Sequence, residues 1–311
     1  MEELYAPPKL SAATQFIFFL VAFAGLILNL VVLFIVLLKR RSSHTSESIL
    51  MMLVAVFDLI ACAFSLFSEQ LRIIGVLTIE TNSYCFADLF IFSTTTFASL
   101  AMTSALSLVR YINVVRRYSI SRSIVVGVSL VYLAVVWLVV IGRGVMNPLM
   151  LMPSGLYCMP YVQNPTGFRD FLETTYIVLF LPCPFIIMLA YALVTKHYYG
   201  VIKRNVYRSE NLSIAKLATP SPDHTTAYNN YVKAHLKNIL ELLVVVALYL
   251  LSILPEFSMS IDTFFMHTKR TNVMDNYAFI AIFSLSLINP IFVLHLNSAA
   301  NPNLPLTLSD H

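Results

Sequence analysis

Charge is scarce in this chain. Charged residues make up only 12% of its 311 residues, whereas 58% are hydrophobic and the mean hydropathy is +0.78. A soluble domain carries about twice that charged share, so an ordinary soluble fold is excluded. Disorder is excluded too, because it combines few apolar residues with high net charge. With only 8 glycines there is little material for a Gly-rich phosphate-binding loop. The net charge of +4 is small and the basic residues do not gather into a patch, which argues against a nucleic-acid partner. The opening MEELYAPPKLS lacks a basic n-region and a small-residue cleavage site, so the first apolar run is expected to act as its own insertion signal. The remaining class is a polytopic membrane protein with the lipid bilayer as solvent.

The apolar runs bear this out. A membrane helix needs about 20 apolar residues, and the chain supplies seven such stretches, predicted at roughly 14–38, 48–72, 85–112, 122–146, 172–198, 234–263 and 274–296. The runs are continuous rather than alternating, which disfavours a β-barrel. The expected fold is an all-α, seven-transmembrane bundle forming a single domain over 1–311. Lys and Arg counts set its orientation: fourteen of the 20 fall on one side, and only Lys9, Arg72, Arg143, Arg169, Lys269 and Arg270 on the other. The positive-inside rule then puts the N-terminus outside and the C-terminus inside. The longest polar segment, about 200–231, reads as an inner loop. Its Arg204, Arg208, Lys216, Ser209, Ser213, Thr219 and Ser221 suit either a solvated linker or a G-protein contact under phosphorylation control.

Cys62 and Cys183 fall within spans and read as small buried hydrophobes. Cys85 and Cys158 fall on the predicted outer face, where disulfides persist. A bridge between them would pin the loop after span four over span three; two free thiols are the alternative. Asn211-Leu212-Ser213, the one usable glycosylation sequon, falls on the inner side. Of the ionisable groups, Asp58, Glu241 and Glu256 lie within spans, and Arg110 ends span three. Such groups are expensive in lipid and point to function, although Asp58 and Glu256 can also serve as hydrogen-bonded structural carboxyls, Glu256 with Arg143, and Arg110 as a snorkelling anchor. Pro182 and Pro184, Pro255 and Pro290 are expected to break spans five, six and seven.

Together these positions resemble the rhodopsin-like family of G-protein-coupled receptors over about residues 14–294. Asn29, Asp58, Trp137, Pro255 and the pair Asn289-Pro290 fall where that family carries its markers, and Cys85 precedes Arg110-Tyr111 by the family's spacing. The chain departs from the pattern at three switch elements. Val109 stands where the acid precedes Arg, Ser252-Ile253-Leu254-Pro255 lacks the Trp, and Val293 replaces the last Tyr of Asn-Pro-x-x-Tyr. The resemblance implies a plasma-membrane receptor that takes an extracellular small molecule or peptide and activates a heterotrimeric G protein. It implies that Arg110 and Tyr111 meet the G protein, that Tyr249, Pro255, Asn289 and Pro290 form the conformational switch, and that Asp58, Ser99, Ser286 and Asn289 line a cavity that holds Na⁺ in many relatives. With Val109 and His235 replacing the restraining acids, it also implies a weakly locked Arg110.

By the same resemblance the ligand pocket comprises Phe92, Ser93, Thr96, Glu256, Phe257, Phe279 and Phe283. Phe92 stands where amine receptors carry an acid and Phe283 where the retinal lysine would be, so neither a protonated monoamine ligand nor retinal is expected, and no other cofactor is. A secondary transporter or channel is the alternative, but it would be expected to show repeated halves. A membrane enzyme would need clustered His, Asp or Glu. Neither pattern is visible in the sequence.

Overall fold

The computed structural model describes residues 12–39, 45–73, 82–152, 157–160, 167–215, 239–240, 243–244, 246–259 and 271–299. Among these described residues the structure is all-helical apart from one short hairpin. In chain order come α1 (Ala12–Lys39), α2 (Ser46–Ile73), α3 (Asn82–Val115), α4 (Arg122–Met146), β1 (Leu149–Leu151), β2 (Cys158–Pro160), α5 (Phe168–Phe180), α6 (Pro182–Ala215), α7 (Val246–Met259), α8 (Asn272–Phe283) and α9 (Leu285–Ala299). Six described spans are long and apolar enough to cross a membrane, with α5–α6 and α8–α9 each forming one, and α7 is a shorter apolar helix.

α3 sits at the centre of the bundle. In its most apolar stretch 72% of residues are buried, against 28% for α1 and for α4, and it packs on α2, α4 and α6. A central helix contacts protein rather than lipid, so it tolerates polar residues if each hydroxyl finds an acceptor. Those of α3 bond back to their own helix: Thr95 donates to Ile91 O at 2.7 Å, Thr103 to Ser99 O at 2.9 Å and Ser107 to Thr103 O at 2.8 Å. Peripheral helices show the reverse pattern. Leu130, Val131, Trp137 and Leu138 of α4 point out of the bundle. Where α1, α2 and α9 meet, Gly25 is needed for close approach, since a Cβ there would lie 2.9 Å from Cys62 Sγ and 3.1 Å from Ser286 Oγ.

The prolines behave in two ways. Span five breaks as expected, at Leu181 between α5 and α6, and Pro182 opens α6, where a missing N–H costs nothing. Spans six and seven depart from expectation. α7 runs through Pro255 and α9 runs through Pro290; the interruption in span seven is at Ser284 instead. There the Ser284 hydroxyl bonds Ala281 O at 2.6 Å and competes with the backbone ladder. Pro290 leaves Ser286 O without its usual donor, and the Asn29 amide supplies one at 2.8 Å.

Two further expectations are corrected. The segment taken as an inner loop from residue 200 is helical as far as Ala215, because a solvated helix needs no apolar run and no proline occurs before Pro220. Arg143, counted among the loop cations, lies inside α4 and is buried. Lys9, Lys216, Thr219, Ser221, His235, Glu241, Lys269 and Arg270 lie outside the described residues, as do the side chains of Arg72, Arg208, Ser209, Asn211 and Ser213.

Candidate functional site

At one end of the bundle Cys85, in the first turn of α3, is disulfide-bonded to Cys158 on β2. β2 pairs antiparallel with β1, bringing Leu151 opposite Cys158. Asp88, one turn along α3 from Cys85, accepts a hydrogen bond from the Cys158 N–H at 2.7 Å, so the hairpin is fastened twice to one helix. This holds Tyr157 inward. Its hydroxyl donates to Asp275 at 2.7 Å, and its ring stacks on Phe279 with centroids 4.5 Å apart.

Under the hairpin lies a cavity with about 630 Å³ of empty space, part of it open to solvent. It brings together six of the seven pocket residues expected from the sequence: Phe92, Ser93, Thr96, Glu256, Phe257 and Phe279. The seventh, Phe283, is one turn deeper on α8, its ring centred 6.4 Å from that of Phe92, and it lines a second cavity. The sequence reading missed Phe97, Tyr157, Tyr176 and Phe180, which complete the aromatic wall. Tyr157 follows no helical period, and Tyr176 and Phe180 lie in span five, where no family marker singles them out.

The expected structural alternative for Glu256, a pair with Arg143, is replaced by another acid. Arg143 forms two 2.8 Å bonds to Glu173 of α5, both side chains buried, and its guanidinium stacks 3.5 Å from the centre of the Tyr176 ring. Glu173 opens predicted span five, and its role was legible only once α4 and α5 were known to pack together.

The second cavity lies deeper, with about 300 Å³ of open space, and collects all four expected ion-site residues, Asp58, Ser99, Ser286 and Asn289. Asn289 is the hub. Its amide donates at 2.9 Å to Asp58 and at 2.9 Å to Ser99, joining α9, α2 and α3. Its Oδ1 is buried without a hydrogen-bond partner, and the Ser286 hydroxyl donates to Phe283 O. The donor set is therefore oxygen-rich around one carboxylate, as a hard cation requires. Nearby, the Ser252 hydroxyl of α7 is 2.9 Å from that of Ser284, at the break between α8 and α9.

At the opposite end from the disulfide sits Arg110, with Tyr111 beside it. Val109 is buried and apolar, as the missing acid implied. Arg110 nevertheless has an acidic neighbour that the sequence did not single out. Glu47, in the first turn of α2, lies 3.5 Å from Arg110 Nε and accepts a 2.6 Å hydrogen bond from Asn113. The helix N-terminus favours an acid there, and Ser46 anchors the same turn to Ile120 O at 2.6 Å. Tyr249 is buried and its hydroxyl has no hydrogen-bond partner. Among the described residues, no group of three or more His, Cys, Asp or Glu could hold a metal ion.

A family model for the 7 transmembrane receptor (rhodopsin family) matches residues 28–293, which span Asn29, Asp58, the disulfide, Arg110 and Asn289-Pro290. No curated protein matches the chain at a significant level. The match covers most of the chain and every helix that builds the two cavities, so this multi-pass plasma-membrane protein belongs to the rhodopsin family of seven-transmembrane, G-protein-coupled receptors.

Proposed function

We propose that the disulfide end faces the exterior and the Arg110 end the cytoplasm, as the Lys and Arg distribution favours. On this reading an extracellular small molecule or peptide enters the cavity under the hairpin, and α7 swings outward to admit a heterotrimeric G protein at Arg110 and Tyr111. A ligand acts only through its different affinity for the two packings, so the element that moves must also touch it. α7 meets this requirement, which is the observation that carries the proposal. Glu256 and Phe257 line the ligand cavity, and Ser252, about one turn away, reaches Ser284 next to the Asn289 hub.

Asp58, Ser99, Ser286 and Asn289 fit Na⁺, and the buried Asn289 Oδ1 without a partner supports that fit. Bound there, the ion would supply a positive charge beside the Asp58 carboxylate. The residues themselves hold α2, α3 and α9 in register. Glu47 and Asn113 would keep Arg110 turned towards α2 until a G protein displaces them. Nucleotide exchange by a panel of purified G proteins, catalysed by this receptor in lipid nanodiscs, tests the proposal. Exchange above that with empty nanodiscs, abolished by Arg110→Leu, is expected. Exchange no faster than with empty nanodiscs across the panel and a ligand library would remove it.

A further inference from the structure

We infer that the cavity under the hairpin takes an uncharged aromatic molecule carrying a hydrogen-bond-accepting oxygen. Its ring system lies between two aromatic walls, and its oxygen is bonded by the Ser93 and Thr96 hydroxyls of α3. The inference deepens the receptor reading, on which it rests only for the route by which the ligand acts.

The first wall is Phe92, Tyr157 and Phe279, with Phe279 centred 4.9 Å from Phe92 and 4.5 Å from Tyr157. The second is Phe97, Tyr176 and Phe180, with Phe97 centred 4.5 Å from Tyr176 and 4.9 Å from Phe180. All six rings line the same space. Such walls hold a flat aromatic molecule by stacking and edge contacts. The polar groups come from α3. Ser93 and Thr96 lie one turn apart and both line the cavity. Their neighbours Thr94 and Thr95 spend their hydroxyls on the helix itself, donating to Phe90 O and Ile91 O. Among the described residues, neither Ser93 nor Thr96 has a hydrogen-bond partner, so each keeps an O–H donor for an acceptor in the cavity. Thr96 also lines the deeper cavity with Asp58 and Asn289, so an oxygen bound there touches the partition between ligand and hub.

The surrounding charges are already answered. Glu256, the one carboxyl in the described lining, is 7% exposed and engaged within the protein. Asp88 accepts from the Cys158 N–H and Asp275 from the Tyr157 hydroxyl. Arg143 is matched by Glu173 through two 2.8 Å bonds and stacks on the Tyr176 ring. Its Nη1 makes no hydrogen bond, but Arg143 is not part of the lining. An ion entering this space would give up its hydration without gaining a counter-charge. A cation would have to draw Glu256 from its present partner, and an anion would meet both Glu256 and the negative faces of the rings. An uncharged aromatic molecule meets neither penalty. It buries its rings against the walls, and its oxygen takes the two donors that α3 leaves unspent.

The test uses the full chain in lipid nanodiscs at constant ionic strength, with thermal unfolding as readout. The probes share one ring system: methyl naphthylacetate, the naphthylacetate anion, naphthylethylammonium and propylnaphthalene. The ester is expected to raise the midpoint by ~2 °C or more at saturation. The two ions should leave it unchanged, and the hydrocarbon should raise it less than the ester does. The double variant Ser93→Ala with Thr96→Val, each shift read against its own midpoint, should weaken the ester about tenfold and leave the hydrocarbon as it was. Phe279→Leu should weaken both, which separates binding in the cavity from uptake by the lipid. No shift with the ester, a shift with either ion as large as the ester's, or unchanged ester affinity in the double variant overturns the inference. Nucleotide exchange separates this from the receptor reading. Ester binding that changes exchange by no G protein leaves the site standing and removes the receptor role. Exchange changed by an ion and not by the ester, and lost in Phe279→Leu, keeps the receptor role and overturns the uncharged ligand.

Discussion

The two ends of the bundle are fastened in opposite ways. At the disulfide end the fasteners are redundant and buried: a covalent bridge, the Asp88 carboxylate on the Cys158 N–H, the Tyr157–Asp275 bond, and the bidentate Arg143–Glu173 pair. At the arginine end Arg110 is held by one carboxylate at 3.5 Å, and both side chains are partly exposed, 13% for Arg110 and 24% for Glu47. Buried pairs cannot be parted without leaving a charge or a dipole unanswered in low dielectric, whereas a partly solvated pair exchanges its partner for water at small cost. The difference teaches which end is shaped in advance and which is built to let go.

Four measurements would break or sharpen that contrast. The largest effect belongs to the covalent fastener. Cys85→Ser removes a crosslink between residues 73 apart and should cost about 4 kcal/mol of stability by the loop-entropy estimate. The unfolding midpoint should fall, and reductant should lower it in the parent protein but not in the variant. Glu173→Gln comes next, at about 3 kcal/mol, because it strands the Arg143 guanidinium between α4 and α5. Replacing both partners with Leu should recover most of the midpoint; a double variant as unstable as the single one would show that the pair does more than cancel its own charges.

Smaller again is Asn29→Ala, expected to cost about 1–2 kcal/mol by leaving Ser286 O, the carbonyl freed by Pro290, without a donor. Thermal unfolding checks it, and Asn29→Ser should lie between the two. The smallest effect on stability falls at the other end. Glu47→Gln should cost only about 0.5 kcal/mol, yet it should raise ligand-free nucleotide exchange by about threefold as Arg110 is released. Val109→Asp in that background should lower exchange again by returning an acid to α3. A large loss of midpoint in Glu47→Gln with unchanged exchange would reverse the comparison, making the arginine end structural rather than releasable.

The helices were legible because hydrocarbon leaves no alternative: an apolar run of about 20 residues must satisfy its backbone internally. Asp58, Ser99, Ser286 and Asn289 were legible as one set, and all four line one cavity. So were Cys85 and Cys158, which are joined. Glu47, Asp88, Glu173 and Asp275 were not singled out, because an acid in the terminal turns of a helix looks like an ordinary interfacial charge. Each acquires meaning only from a partner 30 to 118 residues away. Phe283 shows the complementary limit: its periodicity puts it on the inward face with Phe279, but only the packed bundle sets its depth, beside the deeper cavity.

What the sequence determined by itself was the number of spans, the family and the residues that do not belong in lipid, since each follows from the local cost of polar groups in hydrocarbon. What only the tertiary structure decided was pairing: which acid answers Arg110 and which answers Arg143, and which rings face Glu256. Those choices depend on how neighbouring helices are rotated and how deeply they are set, and that is fixed by packing the whole bundle at once.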